Sequence, residues 1–442
     1  MLQSRLHCWL FCREERKAMR LIAVLLALLA ASYLFWESLQ NDLAASASEV
    51  VIKQTRPMDM AYEKSEARAY VNEIRQSMGM STLSENEKLD RAAQAHADYL
   101  IANDESAHAE IPGHRGFTGA TPMQRALKAG YDSSFVSENL STKNNSGKSS
   151  IDGLFSAIYH RFGFLDPAID QIGVGATQKP SDSTKSAFVY LMGNSELEML
   201  CNTPGFKGSG RYVYKVCRDP QHRIAEKKFK RAQNYNKQHN PKIILYPYDG
   251  QEEVPPAFYS EVPDPLPDYE VSGFPVSVVF NDYYFKKVDL VSFKLFTQDG
   301  KELQNVRFMD KRSDPHQRFT ANQFALFPLE RLEYGTRYRA EIVYCTPKGQ
   351  KHLSWSFETQ KPTEKMHIIT KREETIRLDP TRAHLLYFRP LGPHDIINDI
   401  RFPLDVDITF VDNHTLKISA MPEGTQDFDI TSASRTVHVK VQ

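Results

Sequence analysis

Three side chains in this sequence have the types that do chemistry together: His108, Glu138 and His160. They stand thirty and then twenty-two residues apart, each in a short motif of its own. Two neutral imidazoles and a carboxylate brought to one cleft can hold a divalent ion such as zinc and leave coordination positions for water. They can also bind an organic ligand without any ion. With an ion in place, Glu138 could serve as general base in the hydrolysis of a peptide, peptidoglycan or another envelope polymer. The spacing by itself is no metal signature, so the surrounding elements carry the case. Other histidines read differently. His96 falls on the apolar face of a helical pattern and is expected to be a hydrogen-bonded core residue. His114 sits in a Pro112-Gly113 loop beside Arg115 and is expected in solvent, although it could line the cleft, and His384, His414 and His438 lie on strand patterns and are expected as ordinary surface or cross-strand residues. The sequence holds no Gly-rich phosphate loop, HExxH or nucleophile elbow.

The elements that would position these residues are mostly helices. Ala67, Tyr70, Val71, Ile74 and Met78 recur at helical spacing over 60–78, with Gly79 as the stop. Ser84 and Glu87 form a capping-box pattern ahead of Leu89, Ala92, Ala93, His96 and Leu100. Thr121, Pro122 and Gln124 start a third helix that ends at Gly130. Ile151 to Phe162 reads as a fourth, with His160 near its C-terminal end. Glu138 and Asn139 are placed where they could tie down the turn after Tyr131. Ile172 to Ala176 and Ala187 to Met192 read as strands of a central sheet, so the block is α+β, a three-layer sandwich.

Local motifs sharpen this. Ala92-Ala93-Gln94-Ala95-His96-Ala97 leads to His108, followed by Phe117-Thr118-Gly119-Ala120-Thr121-Pro122, Ala129-Gly130-Tyr131, Glu138-Asn139-Leu140, Tyr159-His160-Arg161 and Ile172-Gly173-Val174-Gly175. The block resembles the bacterial form of the CAP (SCP/TAPS) superfamily of cysteine-rich secretory, antigen 5 and pathogenesis-related proteins. The resemblance implies an α-β-α sandwich and a cleft with two histidines and usually two acidic residues. By motif position His108, Glu138 and His160 match that cleft. The second acidic residue has no counterpart, Ser137 stands where the pattern often has Gly, and the usual Trp of the later helix is missing.

The rest of the chain sets compartment and organisation. Its 442 residues are 41% apolar and 25% charged, enough for about three domains. Net charge is zero, which predicts no nucleic-acid partner. After a basic segment, 1–20, the run Leu21 to Trp36 carries no charge and reads as a transmembrane anchor or a signal peptide. It places the remainder in the cell envelope, facing the periplasm, or outside the cell if the segment is cleaved. Met19 is an alternative start. A linker, 37–59, leads to the CAP-like domain at 60–200. Cys201 and Cys217 lie in a Gly-rich segment, and an exported protein would join them in a disulfide. Between Lys207 and Lys242 eleven Lys or Arg face two acids. Arg223 to Lys237 is expected to form a basic helix, either solvated or touching anionic polymers or lipid head groups. Gln251 to Glu270, with five prolines, six acids and no basic residue, is expected as an extended loop or edge that could face that helix. From 242 to 361 the pattern alternates in the β manner and resembles bacterial Ig-like surface domains. Residues 362–442 read as a smaller β-rich domain. The functional expectation is an envelope protein that binds a lipid, peptidoglycan or protein ligand in a His/Glu cleft, with a divalent metal optional. The alternatives are a metal-dependent hydrolase and a purely structural or adhesive protein.

Overall fold

The computed structural model describes residues 57–442 apart from Lys348, Asn398, Asp399, Leu404, Ala433 and Ser434. The expected anchor at 21–36 lies outside the described residues. Among the described residues no helix is long and apolar enough to cross a membrane. The described residues divide into two compact units, 57–366 with 389–396, and 367–388 with 397–442.

The first unit begins with a three-layer sandwich. Its sheet runs β1 (Ser84–Glu85), β3 (Gln171–Lys179), β4 (Asp182–Gly193), β2 (Ser137–Thr142), with β1 parallel to β3 and the other pairs antiparallel. Strand β4 shows why helices cover both faces. Phe188, Tyr190 and Met192 point into a core with Val71 and Ile74 of α1 (Met60–Ser77) and Ile151 and Leu154 of α4 (Gly147–Ser156). The alternate residues Ala187, Val189 and Leu191 pack on Leu89, Ala93 and Leu100 of α2 (Glu87–Asn103) and on Ala126 of α3 (Pro122–Lys128). The Ile172-Gly173-Val174-Gly175 motif belongs to this contact. A Cβ at Gly173 would lie 2.1 Å from the Leu89 carbonyl carbon, and one at Gly175 2.2 Å from that of Ala93. Only glycine lets α2 come this close to β3.

Two helix boundaries differ from the sequence expectation. Helix α2 starts later, because the Asn86 side chain accepts from the Lys88 and Leu89 amides while Ser84 hydrogen-bonds Asp170 in the parallel β1 pairing. The expected single helix over 151–162 is two helices, α4 and α5 (Ile158–Phe164), broken where Ala157 turns extended. Arg161 stabilises the break: its Nε donates to the Phe155 carbonyl at 2.6 Å, satisfying a group a continuous helix would have used. His160 therefore lies in the first turn of a short helix and not at the end of a long one.

After α6 (Ser195–Cys201), the short pair β5 (Tyr212–Val213) and β6 (Ile224–Ala225) leads into α7 (Glu226–His239), the expected basic helix. Cys201 and Cys217 form the expected disulfide. Two four-stranded sheets follow. Val306–Met309, Gln323–Pro328, Val276–Phe280 and Ile243–Tyr246 make one; Asp289–Thr297, Arg337–Thr346, Gly349–Thr359 and Gln251–Val254 make the other. They pack through residues such as Phe280 and Tyr344, whose ring centroids are 5.0 Å apart. The acidic segment supplies short strands at 251–254 and 257–258. Among the described residues none of its carboxylates forms an ion pair with α7, so the expected contact between them is not made. The second unit holds two more four-stranded sheets around its own core, including Ile369, Leu386, Leu416 and Val437. His384 and His414 are buried there.

Candidate functional site

The site lies at the edge strand β2. Alternation along this strand sends Glu138 and Asn139 to opposite faces of the sheet: Glu138 pairs with Leu191 on the α2/α3 side, and Asn139 with Tyr190 on the α1/α4 side. Asn139 donates to the His160 carbonyl at 2.8 Å and so ties α5 to the strand. The Glu138 side chain is 1% exposed and meets three cationic or potentially cationic groups. Arg125 from α3 donates to both its oxygens at 2.8 and 2.7 Å, His108 Nδ1 lies 3.0 Å away, and His96 Nε2 3.8 Å. Arg125 has no exposed surface and also donates to the Gly119 carbonyl.

Behind this pair, Glu110 accepts from the Thr118 and Gly119 amides and from the Thr118 hydroxyl. It also faces His96 Nδ1 at 3.0 Å. His96 Nε2 points at the Ala107 carbonyl, which can only accept. Burial pulls the His96 pKa down. Both His96 nitrogens are engaged, Nδ1 with Glu110 and Nε2 with the Ala107 carbonyl. As expected, His96 is a satisfied core residue. His114 lies partly in solvent beside Glu105.

His160 is held from elsewhere. Its Nδ1 lies 2.9 Å from Glu261, a residue 101 positions along the chain in the acidic segment ahead of the second pair of sheets. Both Glu261 oxygens also accept the Tyr159 amide, at 3.2 Å each. The N-cap position of α5, Ala157, makes no side-chain capping bond. Glu261 fills that role from across the fold, its charge favourably placed at a helix N-terminus. The same contact is reinforced around α5. Tyr159 donates its hydroxyl to Asp314. The buried Arg161 donates to the Pro275 carbonyl at 2.6 Å and the Ser277 hydroxyl at 3.0 Å, and stacks over Tyr246 and Phe274.

The result is two imidazole–carboxylate pairs side by side, His108–Glu138 and His160–Glu261, with ring centroids 6.2 Å apart and planes 23° from parallel. Each Nδ1–H donates to its carboxylate, so each Nε2 is the outward nitrogen. Neither Nε2 has a hydrogen-bond partner among the described residues. The carboxylates are not comparably available, because Glu138 is enclosed by Arg125 and His108, and Glu261 by Tyr159 and His160.

Comparison with known proteins bears on the block that holds these residues. The sequence pattern of the family described as CAP: Cysteine-rich secretory protein family matches residues 68–194. The chain carries a CAP domain. Solved structures similar to it include an outer surface protein from Borrelia burgdorferi, 19% identical, covering 32% of this chain and 98% of that one, with a TM-score of 0.28. An extracellular SCP-domain protein from Bacillus anthracis is 15% identical, covers 31% and 44%, and has a TM-score of 0.27. A cysteine-rich secretory protein from Staphylococcus aureus is 15% identical, covers 31% and 41%, and has a TM-score of 0.24. The chain thus spans less than half of the Bacillus and Staphylococcus proteins. No curated protein matches it.

Within the CAP domain the structure brings His108, Glu138 and His160 together. Three further residues escaped the sequence reading. Arg125 and Glu110 resemble ordinary charged residues of a helix and a loop, and only burial shows their part. Glu261 lies outside the matched residues 68–194 and sets a second carboxylate against an imidazole of the site, that of His160. A bound metal ion would find two imidazole nitrogens here. Among the described residues no group of three or more His, Cys, Asp or Glu side chains is arranged to hold one. Two nitrogens fall short of the three protein ligands typical of a catalytic zinc centre.

Proposed function

We propose that this is a cell-envelope or secreted protein whose CAP domain, completed by Glu261, binds a ligand through the outward Nε2 atoms of His108 and His160. The observation that carries this reading is the pair of imidazoles fixed through Nδ1 by buried carboxylates, with both Nε2 atoms left over. A carboxylate behind an imidazole fixes its tautomer and orientation, as in metal-bound and catalytic histidines alike. Such rings meet a ligand with little loss of rotamer freedom, which favours affinity. The extracellular and outer-surface origins of the similar proteins support the envelope or secreted assignment. Candidate ligands are lipid, peptidoglycan or protein.

A divalent ion such as zinc would take its protein ligands from the two Nε2 atoms and the remainder from solvent or the ligand. This second reading rests on the same carboxylate-backed imidazoles, an arrangement typical of the surroundings of bound metals. Hydrolysis with Glu138 as general base is disfavoured by Arg125, which holds both its oxygens.

Histidine-selective NMR of the full-length protein in non-ionic detergent tests both readings. The titrants are zinc, soluble peptidoglycan fragments and phospholipid micelles. One of them should shift the Nε2 resonances of His108 and His160 together, and its binding, followed by calorimetry, should be lost in His108→Ala/His160→Ala. If none moves either resonance, the cleft is not a binding site and its network serves folding alone.

A further inference from the structure

We infer that the surface formed by the β5–β6 pair and α7 is a docking site for a linear polyanion bearing phosphate groups. The chain as a whole has 55 basic and 55 acidic residues, yet 207–242 holds eleven basic against two acidic ones. Of these, Lys207, Arg211, Lys215, Arg223, Lys227, Lys228 and Arg231 are exposed and form no ion pair among the described residues. None of the six acids of 251–270 pairs with them among the described residues, and two are engaged elsewhere, Glu261 with His160 and Asp268 near Arg307.

This array opposes its own folding. On α7, Lys227 and Arg231 are four residues apart, and Lys228 and Arg231 three, which sets like charges side by side. Of the α7 cations, Lys230 pairs with Glu226 and Lys237 with Asp282, whereas Lys227, Lys228 and Arg231 have no ion pair among the described residues. The elements are nevertheless held firmly. The Cys201–Cys217 disulfide closes the segment, and Leu197, Ile224, Phe229 and Ala232 form a small core beneath it. The Glu226 amide donates to the Arg211 carbonyl, which joins the strand pair to the start of α7. A solvated connector would need neither cross-link nor core to hold like charges together.

The aromatic residues point to a chain-like partner. Tyr212 and Tyr214 are exposed, but Arg223 lies over the Tyr212 ring at 4.7 Å and Lys215 over that of Tyr214 at 5.5 Å. These rings hold cations in place through their faces and so are not free to insert into a bilayer. The cations lie on a helix and on the loops that flank a strand pair, two neighbouring segments that a flexible polymer can follow. Arg211, Arg223 and Arg231 offer the forked donors that suit phosphate oxygens.

The test is binding of long-chain inorganic polyphosphate to the full-length protein in non-ionic detergent. If about five cations make contact, affinity should fall about a hundredfold between about 50 and 200 mM salt. Lys227→Glu/Lys228→Glu/Arg231→Glu should lose at least tenfold in affinity and flatten the salt dependence. The equally charged change Lys301→Glu/Lys311→Glu/Lys361→Glu, on exposed residues that make no hydrogen bond or ion pair with α7 among the described residues, should have little effect. Circular dichroism confirms folding of each variant. Polyphosphate binding that is absent, insensitive to salt, or reduced equally in the two variants overturns the assignment. Displacement of polyphosphate by phosphatidylglycerol vesicles at equal phosphate concentration would make the partner a lipid surface and also overturn it, whereas failure to displace supports the polymer.

Discussion

Replacing Glu261 by alanine probes the link between the CAP domain and the sheets that follow it. The substitution removes the acceptor of two α5 groups, the His160 Nδ1–H and the Tyr159 amide. A helix cap contributes about 1 kcal/mol and a buried hydrogen bond to a charged group about 1.5–3 kcal/mol. Both effects share one carboxylate, so they overlap and a loss of about 2–3 kcal/mol is expected. In amide exchange this appears as about thirtyfold to a hundredfold faster exchange in α5, centred on Tyr159 and spreading to Arg161 and Phe162. The thermal transition of the first unit should fall by about 4–6 °C. Glu261→Gln retains a carbonyl to accept from Tyr159 but loses the charge, and should show about half the effect. Unchanged α5 exchange and an unchanged transition in Glu261→Ala would refute the reasoning, since a buried carboxylate with two donors cannot then be contributing to the packing of α5.

Arg125→Met strands the buried Glu138 charge and should destabilise the first unit by about 3–5 kcal/mol, measured by urea denaturation. Gly173→Ala forces a methyl group into the α2 backbone and should reduce stability by about 3 kcal/mol in the same assay, with α2 losing exchange protection. Cys201→Ser/Cys217→Ser opens a 16-residue separation and should weaken the α6–α7 segment by about 3 kcal/mol, seen as increased proteolysis between Pro204 and Arg223. In the second unit Asp429 and then Glu373 hold the His438 imidazolium and raise its pKa above the usual 6.5. The folded value exceeds the unfolded one, so its contribution to stability is full below about 6.5 and fades as pH rises through the raised value. The His438 NMR titration should therefore have a midpoint above 6.5, and Asp429→Asn should lower it.

What was legible in the sequence followed from local chemistry. Gly79, Thr121 with Pro122, and the alternation in Ala187 to Met192 act within a few residues, and the corresponding elements formed as expected. Boundaries failed where a distant group decided them. Nothing near Ala157 marks a break, because the carbonyls freed there are satisfied by Arg161 and the helix that follows is capped by Glu261. Ser84 has a capping pattern, yet parallel pairing with Gln171 claimed its backbone and left Asn86 as the cap. The candidate site divides in the same way. His108, Glu138 and His160 sit in recognisable short motifs. Arg125 was hidden because a helix surface arginine and a buried one have the same letter, and Glu261 because its role depends on a contact across 101 residues.

The α5 contact also bears on where this protein can be divided. A fragment ending at residue 200 would retain every position in the family match and look like a complete CAP domain. It would nevertheless lose Glu261, the Pro275 carbonyl and the Ser277 hydroxyl. Arg161 would then be a guanidinium whose remaining protein partners are the Phe155 and Ser156 carbonyls, set in an apolar face newly open to water. Such a truncation is expected to aggregate or to fold with α5 frayed and His160 unanchored. The smallest fragment expected to keep α5 in place therefore runs through Ser277, well past the end of the CAP match.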